Sequence, residues 1–419
     1  MNSILIKNIQ LNCAETDVYV SGNIIEKIGE NLPIEADLII EGKGKALIPG
    51  LINMHTHAAM TLFRGYGDDI PLMPWLKEKI WPHEAKLTEE DVYWGAKLAC
   101  LEMIKTGTTS FLDMYSFLDA TASAVEDMGI RGFLSNAVAD FFIEENANKL
   151  KNELEKQYLS MGKYSNLVQF SIGPHAIYTV SGKLLRWIHD FAKANNFLVH
   201  LHLSETEQEV QDCLKRNGKR PVQYLHSLGI LSPSLVLAHG VHFDEEEIKL
   251  LADHHTNVVH NPAANMKLAS GERFQFEEMK KLGIRIGLGT DGCASSNNLD
   301  MVEAMKLAAL LGKVWRRDAE AVSAPSIFDT ATIGGAEILG LNAGKIEVGR
   351  LADFCLVDLN IPAFSPNHNF ISNLVYAANG SCIDTVVCNG KVLMQGKHVK
   401  GEEEIMQKAS ERAYDLMRR

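Results

Sequence analysis

Seven cysteines in 419 residues (Cys13, Cys100, Cys213, Cys293, Cys355, Cys382 and Cys388) are too few and too scattered for a disulfide framework. They contain no C-x-x-C pair, so neither a thiol redox motif nor a cysteine-rich zinc knuckle is available; a reducing, cytoplasmic setting fits them best. No run of about 18 apolar residues is present, which excludes a membrane-spanning helix as an expectation. The start, "MNSILIKNIQLNCAETDVYV", lacks the basic, apolar and small-residue succession of a signal peptide. Positive charge is also short: 41 Lys and Arg against 53 Asp and Glu give a net charge of −12, with no basic cluster to offset it. A nucleic-acid partner is therefore not expected.

What is present is ordinary globular material, 46% hydrophobic and 22% charged, in a chain long enough for two domains or one large domain with an appendage. Short β segments fill residues 3–48, and the same texture returns in "GRLADFCLVDL" and "CIDTVVCNGKVLMQGKHV", the latter with an Asn389-Gly390 hairpin signal. Both ends of the chain could thus build one small sheet domain, with the middle inserted between them.

The middle alternates strand-like apolar runs with helical patterns. Eight runs can be counted: "GLINMH", "TTSFLDM", "IRGFLSNAVA", "LVQFSIGPH", "FLVHLHL", "SLVLAHG", "TNVVHNP" and "IRIGLGTD". Between the first two lies "TEEDVYWGAKLACLEMIKTG", with Thr88 as cap, acidic residues in the first turn and Gly107 at the close. Eight such units predict a (β/α)₈ barrel. An open doubly wound sheet is the alternative, but no G-x-G-x-x-G follows the first strand. The expected division is 1–49 and 346–400 for the terminal β-sandwich, 50–345 for the barrel, and 401–419 for a helix with acidic residues first and basic residues last.

Polar residues gather at the ends of these runs: His55 and His57, Asp113, His175, His200 and His202, His239, His260 and Asp291. In a barrel those ends converge on the face where active sites sit. Singly, each has a structural explanation: Asp113 could brace the barrel mouth, and His242, His254 and His255 read as surface residues. Together, an H-x-H on the first strand, histidines on the fifth and sixth and an aspartate on the eighth are a donor set suited to zinc or another divalent transition ion. In an extended chain residues i and i+2 face the same way, so "MHTH" aims two imidazoles at one spot.

The ordered markers "PGLINMHTH", "HLHLSET", "LAHG" and "GTDG" resemble those of the amidohydrolase superfamily, over nearly the whole chain. The resemblance implies a (β/α)₈ barrel carrying a β-sandwich made from both termini. It also implies ligands at His55, His57, His202 and Asp291. The fourth strand has no lysine to bridge two metals, so a single ion follows, zinc first, with Fe²⁺ or Mn²⁺ as alternatives. In that scheme Asp291 takes a proton from the activated water, His239 orients the resulting hydroxide, and Glu205 protonates a ring nitrogen.

"LMPWLKEKIWPHEAKLT", "GPHAIYTVS" and "TDGCASSNNLDMVEAMKLAALL" resemble the 5-methylthioadenosine/S-adenosylhomocysteine deaminase family. This implies Glu84 on the ribose hydroxyls, His175 on the substrate, and Trp75 as a wall of the site. The implied reaction converts an adenosine-type nucleoside to its inosine counterpart with release of ammonia. Glu84 could instead be a helix-start carboxylate and Trp75 a core anchor. The chain departs from the family in one respect: no arginine lies between Arg131 and Arg186 to hold the carboxylate of S-adenosylhomocysteine. Lys149 or Lys151 lack the bidentate fork, so uncharged 5′ groups are favoured. Competing readings are deamination of another amino-heterocycle such as guanine, triazine dechlorination, and a catalytically silent scaffold. The expected partner is a small nucleoside, without membrane or nucleic acid, and a homo-oligomer stays open.

Overall fold

The computed structural model describes residues 3–419; Met1 and Asn2, the start of the expected first segment, lie outside the described residues. The chain opens with β1 (Ser3–Leu11), β2 (Ala14–Ser21), β3 (Ile24–Gly29), β4 (Leu38–Glu41) and β5 (Lys45–Pro49). It continues through β6 (Leu51–Thr56), β7 (Thr108–Tyr115), β8 (Arg131–Val138), β9 (Val168–Phe170), β10 (Gly173–Pro174), β11 (Val199–Leu203), β12 (Leu235–His239), β13 (Asn257–His260) and β14 (Ile286–Leu288). It closes with β15 (Phe354–Asp358), β16 (Ile383–Cys388) and β17 (Lys391–Met394).

All eight runs read from the sequence are strands, the fourth being split into β9 and β10. Parallel pairing joins β6, β7, β8 and the β9/β10 run into one arc, and β11 to β14 into another. Parallel bridges Ile172↔Val199 and Ala176↔His202 link the arcs on one side. On the other side the Asp291 N–H donates to the His55 carbonyl at 2.9 Å, so the eight runs close into a barrel. Every residue of β6, β7, β11 and β12 is buried. That continuity is what parallel strands covered on both faces require, and it explains why these runs are apolar rather than alternating.

The first intervening helix, Glu89–Lys105, begins as the sequence predicts: Thr88 accepts from the Asp91 N–H, and the Asp91 carboxylate accepts from the Thr88 N–H. Gly107, just past its end, has φ +91°, a conformation that favours glycine and sets up the turn into β7.

Strands from the two ends of the chain share one sheet, in the order β17-β16-β15-β5-β1-β2-β3 with β4 beside β1. Antiparallel pairing of β15 with β5, five residues long from Phe354↔Pro49 to Asp358↔Lys45, is the seam between the ends. This sheet has its own apolar cluster around Ile4, Ile6, Val18, Val20, Phe354 and Leu356. A buried ion pair, Arg131 to Asp353 at 3.0 Å, ties β8 to it. The Asn389-Gly390 turn joins β16 and β17 with positive φ at both positions, as the hairpin signal demands. Among the described residues no helix is long and apolar enough to cross a membrane.

Candidate active site at the barrel mouth

The strand ends converge as the barrel geometry requires. His55 is the last residue but one of β6 and His57 follows the strand; His202 lies on β11, His239 ends β12, and Asp291 follows β14. Ser204, His239 and Asp291 all have left-handed backbones, with φ of +52°, +77° and +64°. Such strain in non-glycine residues is held only where surrounding structure determines it, and here it falls on three strand ends of one face.

Asp291 Oδ1 lies 3.3 Å from His55 Nε2 and 3.2 Å from His57 Nε2. His202 Nε2 is 3.3 Å from His57 Nε2. The ligand-type atoms of His55, His57 and Asp291 lie within 4.8 Å of one another, as do those of His55, His202 and His239. The outer nitrogens fix the rings. His57 Nδ1 meets the Met114 carbonyl at 2.5 Å, and His202 Nδ1 meets the His175 carbonyl at 2.7 Å. A carbonyl only accepts, so both Nδ1 atoms carry protons, and in the neutral tautomers the two facing Nε2 atoms are bare lone pairs. Two lone pairs at 3.3 Å beside a carboxylate repel unless a cation lies between them. The residues therefore fit a divalent ion, with the outer hydrogen bonds typical of histidine ligands.

Burial lowers His57, but its hydrogen bond to Asp291, the charge of that carboxylate, the Met114 carbonyl and Asp113 together outweigh this and hold it up at about 9. For His55 burial wins and lowers it to about 4, against the pull of Asp291. Burial raises Asp291, yet hydrogen bonds from His55 and His57 hold it well below the ordinary carboxylate range. Burial, followed by the charges of its histidine neighbours, pushes His202 well down.

Around this centre runs one cleft whose lining includes His57, Trp75, Glu84, His175, His202, Glu205, His239 and Asp291. His55, fully buried, lies beneath it. Glu205 is 6% exposed and raised by burial, an effect that His239 opposes and Asp291 reinforces. Its own backbone N–H, with that of Ser204, donates to the Glu209 carboxylate, at 2.9 and 3.0 Å. Glu84, at the end of the short helix Trp81–Glu84, is also raised by burial, with the Tyr115 hydroxyl and His57 pulling it back. His175 is lowered by burial to about 4 and donates from, or accepts at, Nδ1 with Thr179 Oγ1 at 2.9 Å. His239 Nδ1 faces Asn265 Oδ1 at 2.8 Å.

Three strand-end residues stand apart from the cleft. Asp113 accepts from the Ala58 N–H at 2.7 Å and so braces the turn after His57. His260 stacks on Phe274, with ring centroids 4.0 Å apart. His200 lies buried behind His55. Sequence reasoning missed Tyr115, Asn265 and Glu209. Tyr115 was within reach, since it lies two residues beyond Asp113 on β7 and so shares its face. Lys149 is 75% exposed beside Glu153, and Lys151 lies over the Trp187 ring, so neither lines the cleft.

Residues 46–393 match the amidohydrolase family. The chain is 44% identical to a 5′-deoxyadenosine deaminase of Methanoregula boonei, over all of this chain and 96% of that protein. It is 46% identical to a 5-methylthioadenosine/S-adenosylhomocysteine deaminase of Archaeoglobus fulgidus, over 99% of each. Among solved structures, an adenosine deaminase from Xanthomonas campestris with bound zinc superposes with a TM-score of 0.92 at 32% identity, covering all of this chain and 98% of that one. A barrel whose strand ends bring four histidines and an aspartate together in two donor groups that share His55, together with these full-length likenesses, leads to one assignment: the chain belongs to the metal-dependent amidohydrolase family, in its 5-methylthioadenosine/S-adenosylhomocysteine deaminase branch.

Proposed function

We propose that the protein hydrolytically deaminates adenosine-type nucleosides with small apolar 5′ groups, giving the inosine counterpart and ammonia. The observation that carries this reading is the single cleft in which Glu205 and Glu84 lie with the histidine–aspartate cluster. Its lining contains no lysine or arginine among the described residues, while Leu72, Ala137, Ala139, Phe141 and Leu268 contribute apolar wall. A 5′-methylthio or 5′-deoxy group suits such a wall; a zwitterionic homocysteine tail would be desolvated there without a partner. The names of the Methanoregula and Archaeoglobus relatives accord with adenosine-type nucleosides, and the S-adenosylhomocysteine in the second is the substrate that the apolar wall argues against.

In this reading His55, His57, His202 and Asp291 hold one zinc ion, which when bound supplies Lewis-acid activation of water near neutral pH. Asn265 fixes the His239 ring, leaving Nε2 to orient the attacking water. Asp291 Oδ1 faces the same spot as His55 Nε2 and His57 Nε2, and its carboxylate would take the first proton of the water and pass it to the departing amine. Glu205, whose acid form burial favours, gives its proton to the ring nitrogen beside the attacked carbon. The second proton of the water returns to Glu205 as the carbonyl forms, which restores the site. Glu84 accepts from the ribose hydroxyls, His175 contacts the base, and Trp75 closes one wall.

The same reading divides the chain into a catalytic barrel at 50–345, a terminal sheet from 1–49 and 346–400, and a helix in 401–419; the strand sharing between β5 and β15 supports it. It also places the protein in a reducing cytoplasm, in keeping with seven free cysteines, six of them buried.

The test is ammonia release by zinc-loaded protein, comparing kcat/KM for 5′-deoxyadenosine, 5′-methylthioadenosine, adenosine, S-adenosylhomocysteine and free adenine. Preference for the first two supports the reading. Efficient turnover of S-adenosylhomocysteine overturns the apolar-wall argument, and turnover of guanine alone overturns the nucleoside assignment.

A further inference from the structure

His200 is the first histidine of "HLHL" and plays no part in the scheme above. It shares a strand face with His202, two residues on, and its ring is fully buried in the barrel interior. Its Nε2 lies 2.8 Å from His55 Nδ1, with the rings edge to face at 86°. His200 Nδ1 is buried and has no hydrogen-bond partner among the described residues. An imidazole with one nitrogen paired and the other orphaned is a costly thing to bury, so its presence calls for a reason.

The other rings of the cluster supply the contrast. His57 and His202 each lean on a backbone carbonyl, which accepts and cannot donate, so their tautomers are fixed by the fold. His55 has no carbonyl behind it. Its outer nitrogen meets a second imidazole, which can accept or donate. If His200 Nε2 donates, His55 carries its proton on Nε2, aimed at Asp291, and offers the cluster no lone pair. If His200 Nε2 accepts, His55 carries its proton on Nδ1 and Nε2 is bare. Only the second arrangement lets His55 bind an ion.

We propose that His200 is a positioning residue for the metal centre, selecting the tautomer of His55 by accepting its Nδ1–H. The inference rests on the assignment of His55 as a ligand. With His200 in this role its own proton sits on Nδ1, the orphaned nitrogen, and ion binding at His55 offsets that unpaired donor. The apolar barrel interior beneath the site is thereby coupled to the metal through one hydrogen bond.

The experiment compares the parent, His200→Phe and His200→Gln. Phenylalanine fills similar space without an acceptor; glutamine can place Oε1 where Nε2 lies. Zinc affinity of each metal-free protein is measured by competition with a chelating dye, alongside thermal melting of the metal-free forms. His200→Phe is expected to bind zinc about 10–100-fold more weakly, and His200→Gln to recover most of that loss, with similar melting for both. Equal zinc affinity in parent and His200→Phe, or equal loss in both variants, would overturn the proposal. Nitrogen-15 NMR of the zinc-loaded parent gives a test that needs no variant: His200 should carry its proton on Nδ1, and a proton on Nε2 refutes the role. If His55→Ala leaves zinc affinity unchanged, the ligand assignment itself fails and this proposal with it; a tight-binding parent that weakens on His55→Ala but not on His200→Phe fails only here.

Discussion

Asp91, under the C-terminal helix, and Glu205, at the barrel mouth, are both buried carboxylates, and their surroundings treat them in opposite ways. Asp91 is fully buried and surrounded by donors: Thr88 through N–H and Oγ1 at 2.9 and 2.8 Å, Arg412 Nε at 2.7 Å, and Arg419 through Nη1 and Nη2 at 2.7 and 2.9 Å. Burial alone would raise it, but the hydrogen bonds from Arg419, Thr88 and Arg412 hold it below the ordinary carboxylate range. Glu205 is likewise closed off from solvent, lies deeper among protein atoms and has, among the described residues, no donor to its carboxylate, so burial prevails and raises it. Glu209 lies between the two: it accepts two backbone N–H groups yet is still raised to about 8 by burial. Closure from solvent therefore does not by itself separate structural from chemical carboxylates. The supply of donors does, and an acceptor left unfilled while facing a cleft is one kept for a substrate.

The sharpest way to break that comparison is Glu205→Gln. It keeps shape and packing and removes the transferable proton, so kcat should fall about 10²–10⁴-fold, with zinc content and melting temperature near those of the parent. A loss of less than tenfold in kcat would mean that the unfilled carboxylate is not the proton donor. Glu84→Gln should act next most strongly and on a different parameter. A carboxylate that accepts from a ribose diol contributes about 1.5–3 kcal/mol per charged hydrogen bond, so KM for the nucleoside should rise about 10–100-fold, with little change for free adenine. Equal effects on both substrates would remove Glu84 from the ribose.

The difference between these carboxylates also marks how far the sequence could be read. The eight runs, the closing Asn389-Gly390 turn and the Thr88 cap were legible because each depends on neighbours close in sequence: period, turn chemistry, capping. That strand-end histidines and Asp291 would meet on one face was legible because strand ends of a barrel must converge; the choice of His55, His57, His202 and Asp291 as ligands came from the resemblance. What was not legible depends on contacts across the chain. Nothing near residue 91 in sequence indicates that arginines more than 300 positions later will satisfy its charge. Nor does "HLHL" reveal that its first histidine leans on His55, since that contact needs the barrel closed. The segment Trp75–Ile80 winds as a π-helix, wider than an α-helix, and Trp75, Leu76 and Ile80 pack in one cluster with Ala409 and Leu416 of the C-terminal helix Glu402–Arg418, a contact no local pattern announces.

That last contact makes the Asp91 clamp more than a surface detail, because the helix it fastens backs the wall that carries Trp75. Asp91→Asn removes the charge that both arginines share and weakens the capping box, so stability should fall by about 1–3 kcal/mol at pH 7. The sign with pH follows from the direction of the shift. A carboxylate held low in the folded state contributes fully above its unfolded value of about 3.9, and the contribution fades as pH drops through the folded value. The stability gap between parent and Asp91→Asn, measured by denaturant titration, should therefore be constant from pH 7 down to about 5 and shrink toward pH 3. Only the difference between the two proteins is read, so other groups that titrate in this range cancel. A gap that stayed the same at pH 3 would mean that the arginines stabilise this corner by packing rather than by charge, and the contrast with Glu205 would then rest on burial after all.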